Sequence, residues 1–95
     1  MKSRYFKELV NVFSSITSPK EMENFLHGIL TPQELEEIPV RLQIVKLLKK
    51  GIPQHEIAQK LGVGVATVTR GSKEIAKGRF SSITEKGWRP PKSGG

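Results

Sequence analysis

Residues 54–70 read Gln54-His55-Glu56-Ile57-Ala58-Gln59-Lys60-Leu61-Gly62-Val63-Gly64-Val65-Ala66-Thr67-Val68-Thr69-Arg70, and their spacing decides the fold. Two short helices that cross steeply through a tight turn need a small side chain where they touch, and Ala58 stands there. The turn needs a residue that tolerates positive φ, and Gly62 follows one helical turn later. The second helix needs a branched apolar anchor facing the first, which Val68 provides. Ile57, Leu61 and Val63 fill the space between them. The residues left pointing outward, Gln54, His55, Ala66, Thr67, Thr69 and Lys73, are polar or small. This is the pattern of a helix-turn-helix, which lays its second helix in the major groove of duplex DNA.

Each outward residue then has a chemical part. Val65 and Ala66 are short enough to approach thymine methyl groups, and Thr69 and Lys73 can hydrogen-bond bases or phosphates. The candidate DNA contacts are Gln54, His55, Val65, Ala66, Thr67, Thr69, Ser72 and Lys73. Amide groups at the start of the first helix, near Pro53 and Gln54, can cradle a phosphate. Lys49, Lys50, Lys60, Lys77 and Arg79 supply attraction to phosphates that is independent of base sequence. A helical pair of the same shape used for protein contacts is the competing reading.

The charge agrees with DNA. The 95 residues carry a formal net charge of +7. Residues 1–40 hold four Lys or Arg against six Glu, whereas residues 41–95 hold twelve against three. The basic part is therefore the part with the motif, and it suits a polyanionic partner. The chain lacks cysteine, which excludes disulfides and thiolate metal sites and fits a reducing cytoplasm. No apolar run reaches membrane-span length, and the N-terminus lacks the apolar core of a signal peptide. The length suits one domain, which buries only roughly 60–65% of the surface its unfolded form exposes. Dimerisation is one way to enlarge so small a core.

Upstream, apolar residues recur at helical spacing. Phe6, Leu9, Val10, Phe13 and Ile16 form one stripe, and Met22, Phe25, Leu26, Ile29 and Leu30 another, with Ser18-Pro19 between them as cap and first helical residue. Thr31-Pro32-Gln33-Glu34 is a capping box opening a third helix that should run to about Lys50 and stop at Gly51. Pro39 lies inside it and predicts a kink or break, because it cannot donate to the Leu35 carbonyl. That helix is apolar on two sides, along Leu35, Ile38, Leu42, Val45, Leu48 and along Val40, Ile44, Leu47. Such width suits either a second copy of the chain or the centre of a monomeric bundle. The fourth helix opens at Pro53 and ends near Leu61-Gly62; the fifth runs from Val65 to Lys77 with Gly78 closing it. Ser81–Thr84 can begin a short extra turn, and Gly87–Gly95 reads as an extended or disordered tail. The expected organisation is a helical dimerisation and DNA-binding domain over residues 1–80, followed by a flexible basic tail over 81–95. The expected class is all-α, a short helical bundle.

Three stretches resemble the bacterial tryptophan repressor family: Leu30-Thr31-Pro32-Gln33-Glu34, Val40-Arg41-Leu42-Gln43-Ile44-Val45, and Gly62 to Ser72 with its Ala66-Thr67-Val68-Thr69-Arg70-Gly71-Ser72 run. The resemblance implies an intertwined homodimer on a palindromic operator, with L-tryptophan as corepressor ligand and no other cofactor. It implies a ligand site at Leu30, Thr31, Arg41, Arg70, Gly71 and Glu74. There Arg41 and Arg70 match the family arginines that sandwich the indole ring, and a guanidinium can also take the ligand carboxylate. Gly71 matches a position of close approach to the ligand, and Thr31 with the Leu30 carbonyl matches the side that meets the amino group. Without the resemblance, Arg41 reads as a solvated or salt-bridged helix residue and Arg70 as a phosphate contact.

The chain departs from the family pattern at Glu74, where ligand-binding members carry a small hydroxyl residue. A carboxylate there repels the ligand carboxylate but can pair with its ammonium or with Arg41. Gly28 replaces an apolar residue of the pocket wall, Gly51-Ile52-Pro53 is a residue short, and the tail lacks the stripe of the family's last helix. These departures favour a ligand-independent or other-ligand regulator as the alternative. An enzyme is not expected: His27 and His55 lie on different elements without a nucleophile or metal partner, and Gly62-Val63-Gly64 lacks the strand context of a phosphate loop. An RNA-binding platform is disfavoured because Phe6, Phe13 and Phe25 fall on apolar stripes.

Overall fold

The computed structural model describes residues 2–88. Five helices follow one another, α1 Ser3–Ser15, α2 Pro19–Ile29, α3 Pro32–Lys49, α4 Gln54–Leu61 and α5 Val65–Ala76, and then two short strands, β1 Ile83–Thr84 and β2 Gly87–Trp88. Apart from that hairpin the fold is all-α. By its internal packing the chain forms two units, Met1–Glu36 and Glu37–Gly95, and the dividing point falls within α3.

In the first unit the ends of the helices are set by side chains. The Glu21 amide donates to Ser18 Oγ at 3.3 Å, and Pro19 occupies the first helical position, where its missing N–H costs nothing. Both halves of the capping box form: the Glu34 amide donates to Thr31 Oγ1 at 3.1 Å, and the Thr31 amide donates to Glu34 Oε1 at 2.9 Å. The rings of Phe13 and Phe25 meet edge to face, 5.3 Å between centroids. No residue of α1 or α2 is fully buried, and Tyr5, Phe6, Val10 and Ile29 are exposed.

Helix α3 runs unbroken through Pro39, so the break expected there does not occur. Proline removes one hydrogen bond, and the turns on either side carry the helix past it.

The second unit holds the core. Ile44 of α3, Ile57 and Ala58 of α4 and Val68 of α5 are buried together, with Leu47, Leu48, Ile52, Leu61 and Val63 packed around them. Three turns are built on left-handed glycines. Gly62, at φ +67°, caps α4, and the Val63 amide returns to the Ala58 carbonyl at 3.0 Å. Gly51, at φ +90°, ends α3 with the Ile52 amide on the Leu47 carbonyl. Gly78, at φ +81°, closes α5 with the Arg79 amide on the Glu74 carbonyl. Glycine carries no Cβ penalty in this conformation, and each turn satisfies carbonyls the helix leaves open.

After α5 the chain forms a hairpin where the sequence led to an extra turn and, from Gly87, an extended tail. Ile83 pairs with Trp88 and Thr84 with Gly87, antiparallel. Thr84 Oγ1 donates to the Gly87 carbonyl and accepts from the Lys86 amide, both at 3.2 Å. One threonine hydroxyl thus ties both ends of the turn, a local bond that apolar periodicity does not register. The rest of the expected tail, residues 89–95, lies outside the described residues.

Candidate functional site

Helix α5 packs through one stripe and leaves two others open. The packed stripe is Val68, fully buried against α4, together with Gly71. A Cβ on Gly71 would stand 3.1 Å from Ile44 Cγ2 and 3.5 Å from Leu48 Cδ1, so a hydrogen is what lets α5 close onto α3. The resemblance explained Gly71 by room for a ligand; contact with α3 is a reason the structure adds.

Beside that contact lies a hollow of about 430 Å³. Its apolar floor is Ile44 and Val45, and Phe80 forms one wall. Arg41 from α3 and Arg70 from α5 stand at its rim with Ala66, Thr67, Gly71 and Glu74. Among the described residues neither arginine is ion-paired. Two free guanidiniums above an apolar floor suit a flat or apolar group bearing a carboxylate. Leu30 and Thr31, the remaining ligand candidates, belong to the first unit.

Glu74 does not pair with Arg41. Lys77 Nζ approaches its Oε1 at 3.4 Å, and Arg79 Nε approaches its Oε2 at 3.3 Å. Desolvation pushes the carboxyl upward, but the charge and hydrogen bond of Lys77, with those of Arg79, outweigh it and hold the group below its ordinary value. Glu74 is therefore an anion at neutral pH with two cations drawn onto it.

The other open stripe of α5 is a groove lined by Val65, Ala66, Thr69, Arg70, Lys73 and Lys77, with Glu74 at its edge. Val65, Ala66, Thr67 and Lys73 are exposed, as the groove reading requires, and His55 is exposed on the first turn of α4. Ser72 is half-buried and lines neither depression. Gln54 and Thr69 do not stand apart as two independent contacts: Thr69 Oγ1 donates to Gln54 Oε1 at 2.6 Å, tying the start of α4 to the middle of α5.

Sequence reasoning missed Phe80, Ile44 and Val45 as parts of the hollow, and the clamp on Glu74. The three-residue spacing of Glu74 and Lys77 was a visible signal for half of that clamp. Phe80 was not visible, because it lies beyond Gly78 where the helical pattern ends. Among the described residues no group of three or more His, Cys, Asp or Glu could hold a metal ion. No helix among them is long and apolar enough to cross a membrane.

The fold and site define a small basic all-helical protein in which one helix serves both an arginine-rimmed hollow and an exposed polar groove. The model of a protein family described as Trp repressor protein matches residues 4–83. A Trp operon repressor homolog of Vibrio parahaemolyticus serotype O3:K6 is 38% identical over 73 residues, 76% of this chain and 71% of the relative. One from Vibrio campbellii is 34% identical over 89 residues, 86% of this chain and 89% of the relative. One from Actinobacillus succinogenes is 54% identical over 54 residues, 56% and 52% of the two chains. No solved structure matches the chain. The chain belongs to the Trp repressor family, whose members are transcription regulators and not enzymes.

Proposed function

We propose that this protein is a cytoplasmic, sequence-specific DNA-binding repressor that takes L-tryptophan as corepressor and acts as a homodimer on a palindromic operator. The observation that carries the reading is that α5 serves both surfaces: Arg70 and Ala66 border the hollow and the groove alike. A ligand seated against Arg70 therefore changes the helix that meets DNA, which is the physical requirement for a corepressor. The helix-turn-helix geometry of α4, Gly62 and α5, with the basic charge of residues 41–95, supports the DNA partner. The absence of any fully buried residue in α1 and α2, with Tyr5, Phe6, Val10 and Ile29 exposed, supports a second copy as the missing cover.

A calorimetric titration of the purified protein with L-tryptophan tests the ligand. Saturable binding at one ligand per chain is the expected result. The Arg70→Ala variant should lose both ligand and DNA affinity; loss of DNA affinity alone would make Arg70 a phosphate contact only. One observation favours a second reading, a ligand-independent regulator: the ionised Glu74 carboxylate stands in the hollow and is already satisfied by Lys77 and Arg79. Absence of binding, combined with DNA affinity in unliganded protein, would establish that reading.

A further inference from the structure

We infer that Thr69 serves DNA binding as a positioning residue, acting through Gln54, and that Gln54 so held donates to a backbone phosphate instead of reading a base. The inference rests on the DNA-binding reading of α4 and α5.

The 2.6 Å bond has only one possible direction. An amide oxygen carries no hydrogen, so the Thr69 hydroxyl is the donor and its single proton is committed within the protein. What Thr69 still offers outward is lone pairs, which a phosphate repels. The bond also orients Gln54. With Oε1 turned to α5, Nε2 is turned away, and its two N–H groups have no partner among the described residues. Both side chains are half-buried, so the arrangement sits where water competes less than on an open surface.

This state of Gln54 narrows what it can recognise. Glutamine reads adenine by using both ends of its amide at once, accepting from N6 and donating to N7. Here Thr69 takes one of the two lone pairs of the accepting end and holds that end against α5, so the donating end is the one left turned outward. A pure acceptor is its complement, and phosphate oxygens are the acceptors that a residue at the first turn of α4 meets when α5 lies in the groove. Thr69 stands on the groove face between Val65 and Lys73 yet contributes by fixing a neighbour.

The test is DNA affinity of the full-length protein, with L-tryptophan present, on a duplex selected by the wild type from a randomised library. Six proteins are compared: wild type, Thr69→Val, Thr69→Ser, Gln54→Ala, Gln54→Glu and the Val/Ala double variant, with thermal melting to verify that each is folded. Thr69→Val is nearly isosteric and removes the proton; it should weaken binding about tenfold, the loss of one hydrogen bond to a charged group. Gln54→Ala should lose at least as much, the double variant no more than Gln54→Ala alone, and Thr69→Ser should bind like wild type. Gln54→Glu, which keeps the acceptor for Thr69 but sets a carboxylate against phosphate, should bind more weakly than Gln54→Ala. Multiplicative losses in the double variant, or an unchanged Thr69→Val, would overturn the positioning role. A changed base preference at one position in either single variant would overturn the phosphate assignment. Wild type that selects no duplex would overturn the DNA-binding reading itself, an outcome distinct from the other two.

Discussion

Gly71 illustrates how one residue can be over-determined. Its missing side chain sits 3.1 Å from where a fully buried Ile44 methyl already lies. Gly71→Ala gains helix propensity of about 1 kcal/mol, but overpacking a confined core costs about 1–3 kcal/mol. Because Ile44 is packed among Ile57, Ala58 and Val68, the net expectation is a loss of about 1 kcal/mol, measurable by urea denaturation. Glu74 makes a second residue-scale prediction. Its carboxyl is held low, so its pairing is complete above the ordinary carboxylate range and is lost as pH falls through the lowered folded value. An NMR titration should place its midpoint below that of an exposed glutamate. Lys77→Ala should move the midpoint upward more than Arg79→Ala, since Lys77 is the stronger of the two attractions.

At the scale of elements, turns and caps carry the specification and packing carries the stability. The capping box of Thr31 and Glu34 satisfies two amides at the start of α3, and Thr31→Ala should cost about 1 kcal/mol in thermal or urea unfolding. Gly62 sets the angle between α4 and α5 at φ +67°, where a Cβ costs roughly 1–2 kcal/mol, so Gly62→Ala should lower the melting temperature. Val68 is fully buried where α4, α5 and α3 converge. Val68→Ala should destabilise by about 2 kcal/mol from lost burial and the cavity left behind. These elements were legible in the sequence because each rests on local chemistry: a hydroxyl and a carboxylate three residues apart, a glycine at a helix end, a branched side chain at helical spacing. The hairpin at Ile83–Trp88 was not, since two-residue strands carry no periodicity and a threonine hydroxyl secures their turn.

For the whole molecule, charge and exposed apolar surface are the quantities that matter. On the proposed function, the excess of Lys and Arg beyond residue 40 should make DNA affinity strongly salt-dependent. The logarithm of the affinity should fall linearly with the logarithm of salt concentration, and Lys73→Ala should reduce that slope by roughly 0.9, the share of one phosphate. On the proposed function, the exposed apolar residues of α1 and α2 predict a dimer in sedimentation at micromolar concentration. A clean monomer there would remove the homodimer from the proposed function and leave that apolar surface without a partner.

The sequence by itself determined the five helices, the left-handed turns, the buried set around Ala58 and Val68, and the exposure of His55, Ala66, Thr67 and Lys73. These follow from nearest neighbours along a helix, and the chain order contains that information. Only the tertiary structure decided which side chains share a site. Phe80 reaches the hollow across Gly78, Lys77 and Arg79 claim Glu74 ahead of Arg41, and Thr69 bonds to a residue fifteen positions away in sequence. Such pairings depend on where two elements meet in space, and a pattern read along one element at a time carries no record of that meeting.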